Sequence, residues 1–133
     1  MARALIQVVN QSVQTIEENG IIIPGSVVRR YGCNLALSGN GIEVAGEGYY
    51  TIEAAVTVAP TAAGAITVAL NADGVQVPGA IGQDYQATAT QPRTVPIIGT
   101  IRKRCCDGAS TLTLVLIAGA GEILNVSWRV VKE

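Results

Sequence analysis

Tyr49-Tyr50-Thr51-Ile52-Glu53-Ala54-Ala55-Val56-Thr57-Val58 places Ile52, Ala54, Val56 and Val58 on one side of an extended chain and Thr51, Glu53, Ala55 and Thr57 on the other. A period of two is what a β-strand imposes, because successive side chains point to opposite faces. The stretch reads as a half-buried strand. Pro60 and Gly64 interrupt it, and residues 65–70 resume the alternation with Ile66, Val68 and Leu70 facing one way. Asn71-Ala72-Asp73-Gly74 follows, an Asp-Gly pair that predicts a hairpin closed by a type I turn with a bulge. Val75-Gln76-Val77 is then the return strand, stopped by Pro78-Gly79.

Outward from this hairpin, residues 84–90, 94–103, 111–117 and 123–131 read as further strands, each bounded by Gly, Pro or a polar turn. Before Tyr49 the apolar pieces are shorter: 5–9, 21–23, 27–31, 35–37 and 42–44, separated by Gly20, Pro24-Gly25, Gly32 and Gly39-Asn40-Gly41. Residues 12–19 fit one helical turn through Val13, Ile16 and Glu17, a length at which an isolated helix is unstable. About ten short strands in one chain make an all-β sandwich, jelly roll or barrel. No internal repeat or low-complexity segment interrupts the pattern.

At 133 residues the chain is sized for one core. Hydrophobic residues make up 49% and charged residues 14%, too few charges to cover a lone molecule comfortably, so some apolar surface is expected to meet a partner. The net charge of −1, with Arg29-Arg30 and Arg102-Lys103-Arg104 as the only basic clusters, excludes nucleic acid as the expected partner. No run approaches the roughly 20 apolar residues of a membrane span, and no membrane partner or secretory signal is expected. Cys33, Cys105 and Cys106 form an odd set with an adjacent pair, which reads as reduced, packed thiols made in a cytoplasm.

Catalytic chemistry finds little to work with. The chain has no histidine, which removes the usual general base and the commonest metal ligand. Asp73, Asp84 and Asp107 lie in or beside turns, where Asp bonds its own backbone. Glu43, Glu47 and Glu53 are close in sequence, but a paired-carboxylate hydrolase needs two of them facing one cleft. Cys105-Cys106 lacks the Cys-x-x-Cys spacing of zinc and redox sites, and Gly39-x-Gly41 lacks the third glycine and following helix of a nucleotide fingerprint. No catalytic residue, metal site or cofactor is expected.

Two strands bear on association. In 111–117, Leu112, Leu114 and Leu116 fill one face, while Val115 and Ile117 share the other with Thr111 and Thr113. In 123–131, Trp128 joins Leu124, Val126 and Val130, opposite Asn125, Ser127 and Arg129. A second apolar face in so small a sandwich calls for another subunit, with Leu112, Leu114, Val115, Leu116, Ile117 and Trp128 at the contact. Residues 1–25 carry Leu5, Ile6, Val8 and Val9, the load of an attachment arm that inserts into a neighbour or of the first strands of the sandwich. Residues 26–133 form the jelly-roll domain proper.

The passage Leu37-Ser38-Gly39-Asn40-Gly41-Ile42-Glu43-Val44, then Ala45-Gly46-Glu47-Gly48-Tyr49-Tyr50-Thr51-Ile52, resembles the corresponding strand, glycine turn and strand of tumour-necrosis-factor-like and complement-head-like jelly rolls. With Arg29-Arg30-Tyr31-Gly32, Ala59-Pro60-Thr61-Ala62-Ala63-Gly64 and Cys105-Cys106, it is similar to small proteins of this type among bacteriophage and prophage structural genes. The resemblance implies a compact homotrimer, non-enzymatic, displayed on a virion surface after synthesis in the bacterial cytoplasm. Its partners would be itself and a capsid or other virion protein, as a capsid decoration or head-fibre protein. The chain has no Phe, so Leu, Val, Ile, Ala and Tyr would fill a trimer axis that the animal members line with aromatics. Two other classes are carried beside it. A module binding surface glycan or a receptor would stack sugars on Tyr31, Tyr49, Tyr50 and Tyr85 clustered at a loop end; a hydrolase would need two facing Glu carboxylates in a closed cleft.

Overall fold

In a computed structural model that describes residues 3–86, 91–104 and 108–132, the chain forms twelve strands and, among the described residues, no helix. They are β1 (Ala4–Asn10), β2 (Gln14–Ile16), β3 (Gly20–Ile22), β4 (Ser26–Tyr31), β5 (Leu35–Ser38) and β6 (Gly41–Val44), then β7 (Gly48–Pro60), β8 (Gly64–Ala72), β9 (Val75–Gln86), β10 (Arg93–Lys103), β11 (Ser110–Ala118) and β12 (Gly121–Lys132). One sheet, here sheet A, runs β10-β7-β12-β1-β4 with β2 also against β12; sheet B runs β5-β6-β11-β8-β9 with β3 against β11. All pairings are antiparallel, and the inward faces of the two sheets share one core. The architecture is a jelly-roll β-sandwich.

The alternation in residues 49–58 holds: Ile52, Ala54, Val56 and Val58 are buried while Glu53 is exposed. Ile66, Val68 and Leu70 of β8 and Leu112, Leu114 and Leu116 of β11 face them from sheet B. Where β9 of sheet B meets β10 of sheet A, the backbones approach so closely that a Cβ on Gly82 would lie 2.5 Å from the Pro96 carbonyl oxygen. Glycine there lets one side of the sandwich close.

Four local expectations are corrected. Residues 12–19 are not helical: β2 and β3 flank a turn at Asn19 (φ 66°), and Ile16 and Ile22 reach the core from opposite sheets. The segment crosses the sandwich, a path one helical turn cannot span. The hairpin turn has Asp73 at φ 52° and Gly74 at φ 84° between the paired Ala72 and Val75. Both central φ values are positive, the condition of a two-residue type I′ turn, whose twist suits the flanking strands.

Pro78-Gly79 does not stop the return strand. β9 bulges there, with register shifting between Ala69 and Asn71, and Gly79 at φ 81° lets Val77 and Ala80 both turn inward. In β12 a second bulge, between Ile123 and Asn125, changes the parity of the strand. Ile123 therefore takes the core position expected for Leu124, which is half-buried, while Val126, Trp128 and Val130 keep theirs. Residues 87–90 of the expected strand 84–90, together with Cys105, Cys106 and Asp107, lie outside the described residues.

The segment before residue 26 contributes β1, β2 and β3 to the two sheets. An arm free to insert elsewhere is not what the fold displays: β1 pairs with β12 on one side and β4 on the other. Ile6 and Val8 are fully buried, and Leu5 and Val9 lie half-buried on the outer face of sheet A.

Candidate interaction face

The outer face of sheet A can be built row by row from the strand register. One row runs Arg29, Gln7, Arg129, Glu53, Ile98 across β4, β1, β12, β7 and β10. The next, one pleat along, runs Ser26, Val9, Ser127, Ala55, Pro96, and the row on the other side runs Tyr31, Leu5, Val131, Thr51, Thr100. Short side chains at Ala55 and Ser127 leave a hollow of about 320 Å³ walled by Gln7, Pro96, Ile98 and the Glu53–Arg129 pair. That ion pair, at 2.9 Å, holds the charges of the central rows to each other.

The rims differ from the centre. On the β4 side Arg29 lies over the Tyr31 ring, 5.3 Å from its centroid; towards β10, Arg102 lies 5.5 Å over Tyr49. Val28 at 60% exposure and Ile98 at 69% stand out at the two edges. The arginines, tyrosines and exposed apolar residues of this face are of the types enriched where proteins meet.

At the end of the sandwich where β10 gives way to β11, Lys103 is buried and its Nζ donates to Ser110 Oγ at 2.6 Å. Ser110 in turn bonds Asp73, whose Oδ1 accepts the Thr111 N–H at 2.9 Å. The Thr111 and Ser110 hydrogen bonds, with the Lys103 charge nearby, hold the Asp73 carboxyl below the ordinary carboxylate range despite slight desolvation. The serine is committed as donor to one neighbour and acceptor to the other, so the trio clamps the type I′ turn onto β11 and leaves no free nucleophile. The folded-state pKa is lowered, so this contribution to stability is present above the unfolded pKa of about 3.8 and is lost as pH falls through the folded value. Asp73→Asn, which still tolerates the positive φ, is expected to flatten the acid limb of a Tm-against-pH curve below about pH 5. An unchanged acid limb would exclude the clamp.

The residues singled out in the sequence divide between core and surface. Leu112, Leu114, Leu116 and Trp128 are fully buried inside one chain, so they are not available to a second subunit. Val115 and Ile117 lie on the opposite face of β11, half-buried, where Val115 stands between Ile21 and Ala69. The expected contact strand thus spends its leucines on its own core. What the sequence did not reveal is the face of sheet A, because its neighbours are distant in the chain: Arg129 and Glu53 are 76 residues apart.

Glu43 stands on sheet B opposite Thr111 and Ala36, while Glu53 is on sheet A against Arg129; these two carboxylates do not face one cleft. The tyrosines are not gathered either. Tyr50 is fully buried, with its hydroxyl donating to the Ala45 and Gly46 carbonyls, and burial raises its ionisation above the ordinary phenol range. Tyr31 and Tyr49 sit under arginines, and Tyr85 is at the other end of the strands, paired opposite Ala65. Cys33, read as a packed thiol, is exposed. Among the described residues no three His, Cys, Asp or Glu side chains gather where they could hold a metal ion.

No protein-family model and no curated protein sequence matches the chain. Solved structures match it nearly end to end. Murine APRIL superposes with a TM-score of 0.78 at 13% identity, covering 99% of this chain and 100% of that one. The globular domain of the zebrafish complement 1qA protein gives 0.69 at 8% identity, over 95% of this chain and 94% of that one. The fold is the tumour-necrosis-factor-like and complement-head-like jelly roll. This jelly roll also has a phage representative: the PRD1 vertex protein P5 superposes at 0.62 with 14% identity, over 97% of this chain and 96% of that one. Identities this low carry the fold and leave function to the surface.

Proposed function

We propose that the chain is a homotrimeric, non-enzymatic structural protein of a phage virion, a capsid decoration or head-fibre component exposed on the particle surface. The observation that carries this reading is the outer face of sheet A: a small-residue centre with one self-neutralised ion pair, rimmed by two arginine–tyrosine stacks and by Val28 and Ile98. A threefold assembly needs two different patches on each copy, since its contacts are heterologous. The β4 and β10 edges of this face provide them. The jelly roll shared with a PRD1 vertex protein supports a place on a virion. A glycan-binding role has less support, because the exposed tyrosines are spread rather than gathered into a platform.

Light scattering at micromolar concentration is expected to give the mass of three chains. Ala55→Arg puts an unpaired cation in the hollow at the centre of the face, where burial would cost roughly 3 kcal/mol or more. The variant is expected to be a folded monomer, with wild-type circular dichroism and an affinity between copies weakened at least ~100-fold. A stable wild-type monomer, or an Ala55→Arg trimer as tight as wild type, would sink the reading. Co-sedimentation with purified capsids then tests the virion partner, and its absence would count against the decoration role.

A further inference from the structure

We propose that copies of this protein stack end to end, the basic end of the sandwich of one copy seated on the acidic end of the next; the column's unit is taken from the trimeric reading above. The strand register locates the charges. Ala4 of β1, Lys132 of β12, Tyr50 of β7 and Ile101 of β10 lie in one row, so the start of β1 and the ends of β12, β10 and β4 share one pole of sheet A. That pole holds Arg3, Arg30, Arg102, Arg104 and Lys132, with Lys103 buried and tied to Ser110, six of the nine basic residues of the chain. Among the described residues three carboxylates accompany them: Asp73 is tied into the clamp with Ser110 and Thr111, and Glu43 and Glu47 lie on sheet B and in the loop after β6.

The opposite pole has the other sign. Gly121 of β12 pairs with Pro60 of β7 and Ile16 of β2, and the Asn19 N–H bonds the Leu116 carbonyl, which brings the exposed Glu17, Glu18 and Glu122 to one end. Asp84 is at that end too, 4.0 Å from Arg93. Arg93 is thus the basic side chain placed against this acidic end, and an ion pair already engages it.

Among the described residues cations therefore predominate at one end of the strands and carboxylates at the other. The complement of each end is present on the same molecule, so a second copy is the partner whose chemistry the protein itself supplies. Head-to-tail contacts between opposite ends produce columns where the rotation from copy to copy does not close a ring. Because the ends are exposed, the attraction must fade as salt shortens the screening length from about 30 Å at 0.01 M to about 3 Å at 1 M.

Sedimentation velocity tests this across that salt range. The full-length protein is expected to sediment as multiples of the trimer near 0.01 M salt and as the trimer alone near 1 M. The triple variant Glu17→Lys, Glu18→Lys, Glu122→Lys is expected to stay trimeric at both, since these residues lie away from the central rows of sheet A. Wild type that remains a single trimer at low salt, or a triple variant that still forms multiples, overturns the stacking. A monomer near 1 M salt that still forms multiples at low salt would support the end-to-end contact while overturning the trimer, so the two readings fail separately.

Discussion

Trp128→Ala is expected to lower the unfolding free energy by about 4 kcal/mol, the cost of emptying a large aromatic site in a packed core. Trp128 is fully buried on β12, between Val8 of β1 and Ala54 of β7. Domains of this size are stable by about 5–15 kcal/mol, so the variant would be near its limit at room temperature. The companion substitution sharpens the result. Trp128 Nε1 is buried and has no hydrogen-bond partner, so the ring already carries the cost of an unpaired donor. Trp128→Phe removes that donor along with part of the ring, and the two effects offset. Its net change is expected to stay within about 1.5 kcal/mol. Urea melts of both variants at constant m-value measure this. A core role predicts a large fall in midpoint for alanine and a small one for phenylalanine, whereas a tryptophan at a subunit contact would dissociate the trimer and leave the chain's own stability unchanged.

That contrast also marks how far the sequence could be read. The period of two identified the core residues of β7, β8 and β11 because none of those runs contains an inserted residue, the bulge of β11 coming only after Leu116. It fails where a bulge inserts a residue. Parity assigns Leu124 to the Trp128 face, and the bulge between Ile123 and Asn125 gives that place to Ile123. Pro78-Gly79 reads as a stop in any local window; only the demand of the core for Val77 and Ala80 explains why β9 passes through it. The interaction face was the least legible part. Ala55, Ser127, Gln7 and Pro96 are ordinary residues in four different strands, and nothing local marks them as neighbours. Apolar residues on both faces of β11 were visible, but which face meets the core and which looks outward depends on β3 and β8, whose pairing with it is long-range.

Deletion of residues 1–20 is expected to abolish folding, leaving the product insoluble rather than as a trimer that has lost its particle. β1 is an inner strand of sheet A, so its loss unpairs β12 along one side and leaves β4 without its only partner in the sheet order. Ala4, Ile6, Val8 and Ile16 leave the core with it. Three of these are large, and at roughly 1.5–3 kcal/mol for each buried aliphatic side chain their loss approaches the stability of a domain. Removing β2 also uncovers the start of β12, where Gln14, Thr15 and Ile16 pair with Ile123, Glu122 and Gly121. A control deletion of residues 1–3, which stops short of β1, is expected to leave a soluble protein of wild-type melting temperature. The soluble fraction after expression and the circular dichroism of whatever is recovered distinguish the outcomes. A soluble, folded trimer from the long deletion would mean that β1 is dispensable to the sandwich and is free to serve as a strand donated to a neighbour.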